Sequence, residues 1–307
     1  MAKPTSDLTG LLLVDKEPGW TSHDVVAKAR GITGQRKIGH TGTLDPMATG
    51  LLVLCLGRAT RLVEYMTGHD KYYEGEIRLG VTTDTDDAEG TAIATYPVPP
   101  ITGEDLDAIA ARFTGPQLQA PPAYSAVKVE GKRAYAAARA GSPLDLQPRP
   151  ITVHALQLRA AGPDRLAIEV HCGAGTYVRS LARDIGAAIG CGAHLSALRR
   201  TQAGRFDVAG AVTISEMAAI AGSGRLASIL LPLDEGLLDH DAAILSIDHC
   251  RTLAAGGPVD VEPPTRGSEA ARVYTTDGVF VAVGTIKSEG QIQPKKVLID
   301  RIQDNFL

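Results

Sequence analysis

Several features that mark large classes of protein are missing from this sequence. No uncharged apolar stretch approaches the roughly 18 residues that a membrane-spanning helix needs, and the N-terminal segment "MAKPTSDLTG" lacks the apolar core of a signal peptide. The four cysteines form no C-x-x-C pair, and three of them lie in or beside apolar stretches, where a reduced cysteine behaves as a small hydrophobic residue. We therefore expect a protein without disulfides that lies in the cytoplasm and has no membrane partner.

Motifs for bound nucleotides, metals and hydrolytic triads are also missing. The glycine-rich segment "GHTGTLDPMATG" does not follow the P-loop pattern, no G-x-G-x-x-G follows a predicted strand, and no G-x-S-x-G occurs. In the segment that starts with "DTDDAEG" at residue 84, Glu89 stands where a calcium-binding loop needs glycine, and Thr95 stands where it needs the final glutamate. We therefore interpret residues 84–90 as a solvated acidic turn. Cys172, Cys191 and His194 match no common zinc spacing. We predict neither a cofactor nor a metal.

The chain does contain enough apolar sequence for a folded core. Hydrophobic residues make up 44% and charged residues 21% of its 307 residues, so disorder is not the default. The formal net charge is -4, so a nucleic-acid partner would have to meet a local basic face rather than the whole surface. The candidates for such a face are Arg30, Arg36, Lys37, Arg58, Arg61, Lys128, Lys132, Arg133, Arg199, Arg200 and Arg205.

The apolar patterns predict an α+β protein. Residues 11–14 and 51–56 are predicted to form buried strands, and Ser22 is predicted to cap a helix that lies between them. Residues 166–172 alternate as a strand does, and a glycine turn then leads to a helix that begins near Val178. Strands and helices thus follow one another along the chain without an internal repeat.

Asp45 is the carboxylate that raises a functional question. It lies in "GHTGTLDPMATGLLVLCLG", in a tight turn directly before a predicted buried strand. A plain turn aspartate is one interpretation, because Asp-Pro is common in turns. The glycines of this segment, however, allow another molecule to approach the backbone closely, and His40 and Thr43 add hydrogen-bonding groups.

Two further residues stand out by their positions. Tyr73 is predicted to point towards the core or a cleft floor, because Ile77 and Leu79 share its face of a predicted strand, whereas Tyr72 should point outward. Arg179 falls in the first turn of a predicted helix, where a cation opposes the helix dipole. Such a placement is easier to understand if Arg179 reaches away to an anion.

Five ordered blocks then carry a resemblance to a known family. The blocks are "DKEPGWTSHDVV", "KIGHTGTLDPMATGLLVLCLGRATR", "KYYEGEIRLGVTTDTDDAEG", "PPAYSAVKVEGKRAYAAAR" and "CGAGTYVRSLARDIGAAIGCGAHLSALRRTQAGRF". In order and approximate spacing they resemble the TruB family of bacterial tRNA pseudouridine-55 synthases. Near the C-terminus, "DGVFVAVG" and "QPKKVLI" resemble the PUA domain of that family.

The resemblance implies a fold and a division of the chain. It implies an α+β pseudouridine synthase fold, with a mixed β-sheet flanked by helices, over residues 1–240. A thumb segment is expected as an insertion at about residues 119–149, and it would account for the unusual proline-bracketed stretch there. A small β-rich, PUA-like RNA-binding domain is expected over residues 241–307, where short strands and a hairpin with a Thr-Asp-Gly turn are predicted.

The resemblance also implies roles for single residues. The catalytic aspartate of the family falls on Asp45, the tyrosine that stacks on the target base falls on Tyr73, and the arginine that pairs with the aspartate falls on Arg179. A buried nucleophilic carboxylate must stay ionised, and a paired guanidinium opposes the rise in its pKa that burial causes. The residues expected to contact the substrate are His40, Thr43, Tyr177, Leu198, Lys16, Arg199 and Arg200.

The implied reaction is the isomerisation of uridine to pseudouridine in the T-loop of tRNA. It conserves the elements of the substrate, so no cofactor is expected. We expect the T-arm stem-loop of tRNA as partner, no guide RNA, and a monomer. Two alternatives stay open at this point: an RNA-binding or tRNA-folding module in which catalysis is secondary, and a guide-dependent pseudouridine synthase.

Overall fold

The computed structural model describes residues 8–129, 131–142, 144–261, 270–287 and 290–299. The helices are α1 (Ser22–Thr33), α2 (Val63–Thr67), α3 (Gly103–Arg112), α4 (Ala134–Arg139), α5 (Val178–Ile189), α6 (Ile214–Gly222) and α7 (Ile247–Ala254). The strands are β1 (Gly10–Lys16), β2 (Ile38–His40), β3 (Thr49–Leu56), β4 (Lys71–Leu79), β5 (Val81–Thr83), β6 (Ala92–Thr95), β7 (Gly115–Gln119), β8 (Lys128–Val129), β9 (Lys132–Arg133), β10 (Arg149–Gly162), β11 (Arg165–Cys172), β12 (Ala193–Ala203), β13 (Phe206–Asp207), β14 (Asp241–Leu245), β15 (Val259–Asp260), β16 (Ala271–Thr275), β17 (Phe280–Lys287) and β18 (Gln291–Val297).

A nine-stranded sheet organises the larger part of the chain. Its main path runs β1-β3-β12-β4-β11-β10-β7, with β2 paired to β3 and β13 paired to β12. The sheet is mixed, because β12 and β3 run parallel while its other pairs are antiparallel. Strand β3 is buried along nearly its whole length, as a strand covered on both faces requires. The predicted mixed sheet with flanking helices is confirmed.

Helix α1 shows how one local prediction was wrong. Ser22 was predicted to cap this helix, but Thr21 is the N-cap, and it forms a capping box with Asp24. Ser22 instead is the first helical residue and is buried. Its hydroxyl donates to the carbonyl of Leu44 at 3.2 Å and accepts from the amide of Leu44 at 2.9 Å. Ser22 therefore ties α1 to the loop that carries Asp45.

The segment between β7 and β10 is an excursion from the sheet. These two strands are antiparallel neighbours, with Arg149 paired to Gln119. The chain between them forms the two-stranded β8–β9 pair and the short helix α4. This location agrees with a segment inserted into the sheet rather than with a part of its core.

A separate five-stranded sheet begins at Asp241, in the order β14-β16-β17-β18-β15. The predicted hairpin is present, since β16 and β17 pair antiparallel. The sheet packs on the rest of the molecule through Val283 and Leu298, which share an apolar cluster with residues of β1 and β3. Lys296 also lies 2.6 Å from Glu64. Of the helices that the structure describes, none has the length and apolar character needed to cross a bilayer.

Candidate active site

The loop that carries Asp45 connects β2 to β3 and is anchored from several sides. Ser22 holds Leu44 as described above, and the buried Lys16 amine donates to the carbonyl of Pro46 at 3.0 Å. Just after the loop, in β3, Gly50 has a φ of 94°, and a Cβ there would lie 2.3 Å from the carbonyl oxygen of Arg200. Only glycine fits this contact. The carboxylate therefore projects from a fixed loop beside the parallel β3–β12 pair.

A cavity of about 350 Å³ opens in front of this loop. The structure brings many of the predicted site residues to its wall, although they come from distant parts of the chain. Those that line it are Thr43, Asp45, Tyr73, Tyr177, Arg179, Leu198 and Arg200. Tyr124, Ser125 and Ala126 of the excursion also line it, so this segment closes one side of the cavity.

Asp45 and Arg179 form the central ion pair of the cavity. Nη2 of Arg179 donates to Oδ1 of Asp45 at 2.9 Å. Nε lies 2.9 Å from Oδ2, a close ionic contact outside hydrogen-bond geometry. Arg179 lies in the first turn of α5 and is 5% exposed. The prediction that Arg179 reaches away from its helix to an anion is confirmed.

Burial and pairing act in opposite directions on the Asp45 carboxyl. Desolvation raises its pKa above the ordinary value, and the nearby Asp87 carboxylate raises it further. The charge of Arg179 and its hydrogen bond lower the pKa and so oppose the shift. The pairing with Arg179 thus opposes the protonation of Asp45 that burial favours.

The acidic turn at residues 84–90 was interpreted as solvated, and this was wrong. Asp87 is 3% exposed and lies 3.3 Å from Nη1 of Arg179. Asp86, in the left-handed conformation with φ 62°, pairs with Arg183 at 2.8 Å. Two arginines of α5 therefore draw the turn inward, because their charges offset the desolvation of the aspartates.

Tyr73 lies on β4 between two strands that set its direction. It pairs with Val170 of β11 on one side and with Arg200 of β12 on the other. It faces the cavity, while its neighbour Tyr72 is 38% exposed on the other face. Both predicted directions are confirmed. Desolvation raises the pKa of the Tyr73 phenol, and the charge of Arg200 opposes this shift.

Arg200 is a buried cation at the back of the cavity. It is 2% exposed, and its Nε donates to the carbonyl of Leu51 at 2.7 Å. Nη2 donates to the carbonyl of Gly42 at 3.1 Å. Among the described residues no carboxylate forms an ion pair with it. Its charge is therefore directed at the cavity and at backbone carbonyls rather than neutralised by an acid.

Three of the residues predicted to contact substrate lie outside the cavity wall. Lys16 is fully buried, and its amine donates to the carbonyls of Glu17, Trp20 and Pro46 beneath the Asp45 loop. Arg199 is bound to Asp15 through two hydrogen bonds of 3.0 and 2.7 Å. His40 is half-buried, and its ring lies edge-on to that of His23. The structure gives Lys16 and Arg199 internal partners.

Lys71 was missed by the sequence reasoning. It lines the cavity at the start of β4, and its amine donates to the carbonyls of Thr67 and His69. Desolvation lowers the pKa of this amine to about 8. The only sequence signal was its place two residues before Tyr73, which puts both side chains on one face of the strand.

The predicted basic face is partly taken up by internal contacts. Arg30 donates to the carbonyl of Ile38, Arg61 to that of Val297, and Arg205 pairs with Glu235. The candidates whose side chains stay exposed are Arg30, Arg36, Lys37, Arg61, Lys128, Lys132 and Arg205. The side chain of Arg133 lies outside the described part of the chain. Seven of the ten candidates whose side chains the structure describes therefore stay exposed, and three of these seven also have an internal partner.

Comparisons with known proteins match almost the whole chain. Residues 30–178 match a model of the TruB family pseudouridylate synthase N-terminal domain. Residues 179–238 match the tRNA pseudouridylate synthase B C-terminal domain, and residues 242–298 match the C-terminal model of pseudouridine synthase II TruB.

Individual relatives are similar over comparable lengths. A tRNA pseudouridine synthase B of Stutzerimonas stutzeri is 40% identical over 95% of this chain and 96% of its own. A tRNA pseudouridine synthase B of Arthrobacter sp. is 42% identical over 90% of this chain and 92% of its own. Among solved structures, an H/ACA RNP bound to a substrate RNA containing 2'-deoxyuridine contains a chain with a TM-score of 0.73 and 23% identity, over 95% of this chain and 85% of that one. A Cbf5-Nop10-Gar1 complex contains a chain with a TM-score of 0.73 and 24% identity, again over 95% of this chain and 85% of that one. These structural matches show the fold.

Proposed function

The chain belongs to the TruB family of pseudouridylate synthases, and we propose that its cavity receives a flipped-out uridine of the tRNA T-loop. The protein is a tRNA pseudouridine synthase, an isomerase that converts uridine to pseudouridine in tRNA. In this reaction the N1–C1′ glycosidic bond breaks, the uracil turns, and C5 bonds to C1′. No atom of a second substrate enters the product.

Asp45 is the proposed nucleophile. A carboxylate of this kind splits one difficult displacement into two easier steps through a covalent intermediate. Its loop is anchored by Ser22 and Lys16, and its charge is stabilised by Arg179. Fixed geometry and a paired charge suit a partly buried nucleophile, since neither has to be reorganised during the reaction.

Tyr73 is the proposed stacking partner of the extruded base. Taking a base out of a folded loop costs a few kcal/mol, and stacking on an aromatic ring offsets part of that cost. Tyr73 faces the same cavity as Asp45. Its phenol oxygen is also a candidate to take the proton from C5 when the new bond has formed, while the phenol passes its own proton to solvent.

The cations of the cavity are proposed to hold the negatively charged parts of the substrate. Arg200 is buried and directed at the cavity, and Lys71 lies on the same wall. Thr43, Tyr177 and Leu198 complete the contact surface. His40, at the edge of the Asp45 loop, is proposed to contact the RNA loop outside the cavity, as are the exposed lysines of the excursion.

The proposal also covers the domains of the chain, its oligomeric state and its location. We propose a catalytic domain over residues 1–240, with the excursion as its thumb, and an RNA-binding domain over residues 241–307. We propose that the protein acts as a monomer in the cytoplasm on the T-arm, without a guide RNA. The four cysteines are free and buried, which suits a reducing compartment.

The convergence of Asp45, Arg179 and Tyr73 on one cavity carries the assignment of the site. It is tested by incubating the purified chain alone with an unmodified tRNA transcript and mapping pseudouridine at nucleotide resolution. We expect pseudouridine at the T-loop position with the wild type and none with Asp45→Asn, which should still bind the transcript. Substantial turnover by Asp45→Asn would contradict the nucleophile. Tight binding without any product from the wild type would favour a binding module or a guide-dependent enzyme.

A further inference from the structure

Asp70, His154 and His171 form a cluster beside the cavity that the proposed reaction does not use. Asp70 directly precedes β4, His154 lies on β10, and His171 lies on β11. The sheet brings them together because β11 lies between the other two strands. His171 pairs with Tyr72 on one side and with Ala155, next to His154, on the other.

The spacing of the three ligand atoms suits a metal ion. Oδ2 of Asp70 lies 3.3 Å from Nε2 of His154 and 3.5 Å from Nε2 of His171. The potential ligand atoms all lie within 4.8 Å of one another. In a tetrahedral zinc site with bonds of about 2.0–2.1 Å, neighbouring ligand atoms are about 3.3–3.4 Å apart. The carboxylate is thus already near the required distance from each imidazole.

The ring of His171 is held by stacking, while the site stays open to solvent. The ring of Tyr72 stacks on that of His171, with centroids 3.9 Å apart and planes at 8°. The side chains of Asp70, His154 and His171 are 47%, 37% and 24% exposed, respectively. An ion can therefore reach the cluster from solvent, and a fourth position is left for water or another oxygen ligand.

We propose that Asp70, His154 and His171 bind one divalent transition-metal ion of the zinc class. Two imidazoles and one carboxylate suit Zn²⁺ or Co²⁺, whereas Mg²⁺ prefers six oxygen ligands. No other group of three such ligands occurs among the residues that the structure describes. This site goes beyond the isomerase activity, because it lies outside the reaction cavity.

Gly173 places the metal site next to the reaction site. It lines the catalytic cavity, and a Cβ on it would lie 3.8 Å from both Oδ1 of Asp70 and Nε2 of His154. A bound ion would connect the start of β4 to β10 and β11, and Lys71 of the cavity follows Asp70 in the chain. We therefore expect the ion to stabilise this edge of the cavity rather than to take part in bond making.

A competing explanation is an ion pair without a metal, in which a protonated histidine contacts Asp70. Calorimetric titration of the untagged, chelator-treated full chain with ZnCl₂ separates the two. We expect one equivalent of Zn²⁺ to bind. His154→Ala and His171→Ala should each weaken binding at least about tenfold, since even the loss of an outer-shell partner costs about 10- to 100-fold in metal affinity. His249→Ala, at an exposed histidine of α7, is the matched control and should bind as the wild type does.

Two further measurements show what kind of metal site is formed and whether the variants are folded. Co²⁺ should give the intense visible absorption of a low-coordinate site in the wild type and in His249→Ala, but not in His154→Ala. Zn²⁺ should raise the unfolding temperature of the wild type by mass action, and MgCl₂ should not. His154→Ala should unfold at the wild-type temperature without metal, which shows that it is folded. No stoichiometric Zn²⁺ binding by the wild type, or undiminished binding by both histidine variants, would overturn the proposal.

Discussion

Oδ2 of Asp87 lies 3.3 Å from Nη1 of Arg179, so a second carboxylate, which is buried, holds the guanidinium that pairs with Asp45. Asp87 is fixed in turn by the hydroxyl of Thr85 at 2.5 Å and by the amide of Glu89 at 3.1 Å. One cation thus serves two carboxylates. The arrangement orients Arg179, but it also places a second negative charge near the nucleophile and so raises the pKa of Asp45.

Asp87→Asn should therefore change the pH profile of the enzyme. The reactive form of Asp45 is the carboxylate, so activity is lost as the pH falls through its pKa. Without the charge of Asp87 that pKa is lower, and the acidic limb of kcat/KM should move to lower pH. The acidic limb is obtained by measuring kcat/KM with tRNA transcript across the acidic pH range. A uniform loss of activity with an unmoved limb would mean that Asp87 acts only by holding Arg179 in place.

Asp86→Asn is the matched control for this experiment. Asp86 is the neighbouring aspartate of the same turn, but it pairs with Arg183 rather than with Arg179. Its φ of 62° is one that asparagine also adopts readily. We expect the acidic limb of this variant to stay close to that of the wild type. An equal shift in both variants would point to a general loosening of the turn.

Arg179→Lys should be damaging although it keeps the charge. The guanidinium contacts both oxygens of Asp45, the carboxylate of Asp87 and the carbonyls of Thr85 and Tyr124. A lysine amine is a point charge and cannot reproduce this fork. We expect kcat/KM to fall roughly 10²- to 10³-fold, as when one preorganised electrostatic partner is removed. Arg183→Lys, on the same helix, should stay near the wild-type rate.

The site could be predicted from the sequence only where the signal was local or matched a family block. The alternation around Tyr73 indicated its direction, and the place of Arg179 in a first helical turn indicated an anionic partner. The prediction that both residues meet Asp45 rested on the resemblance to the family. Local patterns alone do not tell which segments meet across a sheet.

The rest depends on contacts between distant segments. The acidic turn at Asp87 is buried only because arginines about a hundred residues later in the chain lie against it, so its composition wrongly indicated exposure. The anchoring role of Ser22 depends on a loop 22 residues away. Likewise, Asp70, His154 and His171 lie on three segments, and no spacing rule connects them.

Tyr73→Phe separates stacking from proton transfer. Phenylalanine keeps the aromatic face, so binding and base extrusion should persist, as reported by a fluorescent base analogue in the T-loop. The hydroxyl is lost, so we expect product formation to fail if the phenol takes the C5 proton. Product should then be absent while a species bound to Asp45 accumulates. Full activity of this variant would exclude the hydroxyl from the reaction.

Lys16→Met tests the anchor beneath the Asp45 loop through the pH dependence of stability. Burial lowers the pKa of the Lys16 amine to about 8, from 10.5 in an exposed lysine. Between these two pH values the unfolded chain binds the proton and the folded chain does not, so this group makes the free energy of unfolding rise with pH. The methionine variant lacks that contribution and leaves the carbonyls of Trp20 and Pro46 without their donor.

The destabilisation caused by Lys16→Met should consequently grow with pH. From urea unfolding at pH about 7.5 and about 9.5, we expect the difference from wild type to increase by about 1–2 kcal/mol, given about 1.4 kcal/mol per pKa unit. Lys37→Met, at an exposed lysine, should show no such increase. The contributions of other groups that titrate in this pH range cancel in the difference between variant and wild type, because both proteins contain those groups. A difference that stays constant or shrinks as the pH rises would mean that the Lys16 amine keeps an ordinary proton affinity, and its place under Pro46 would then be a matter of packing alone.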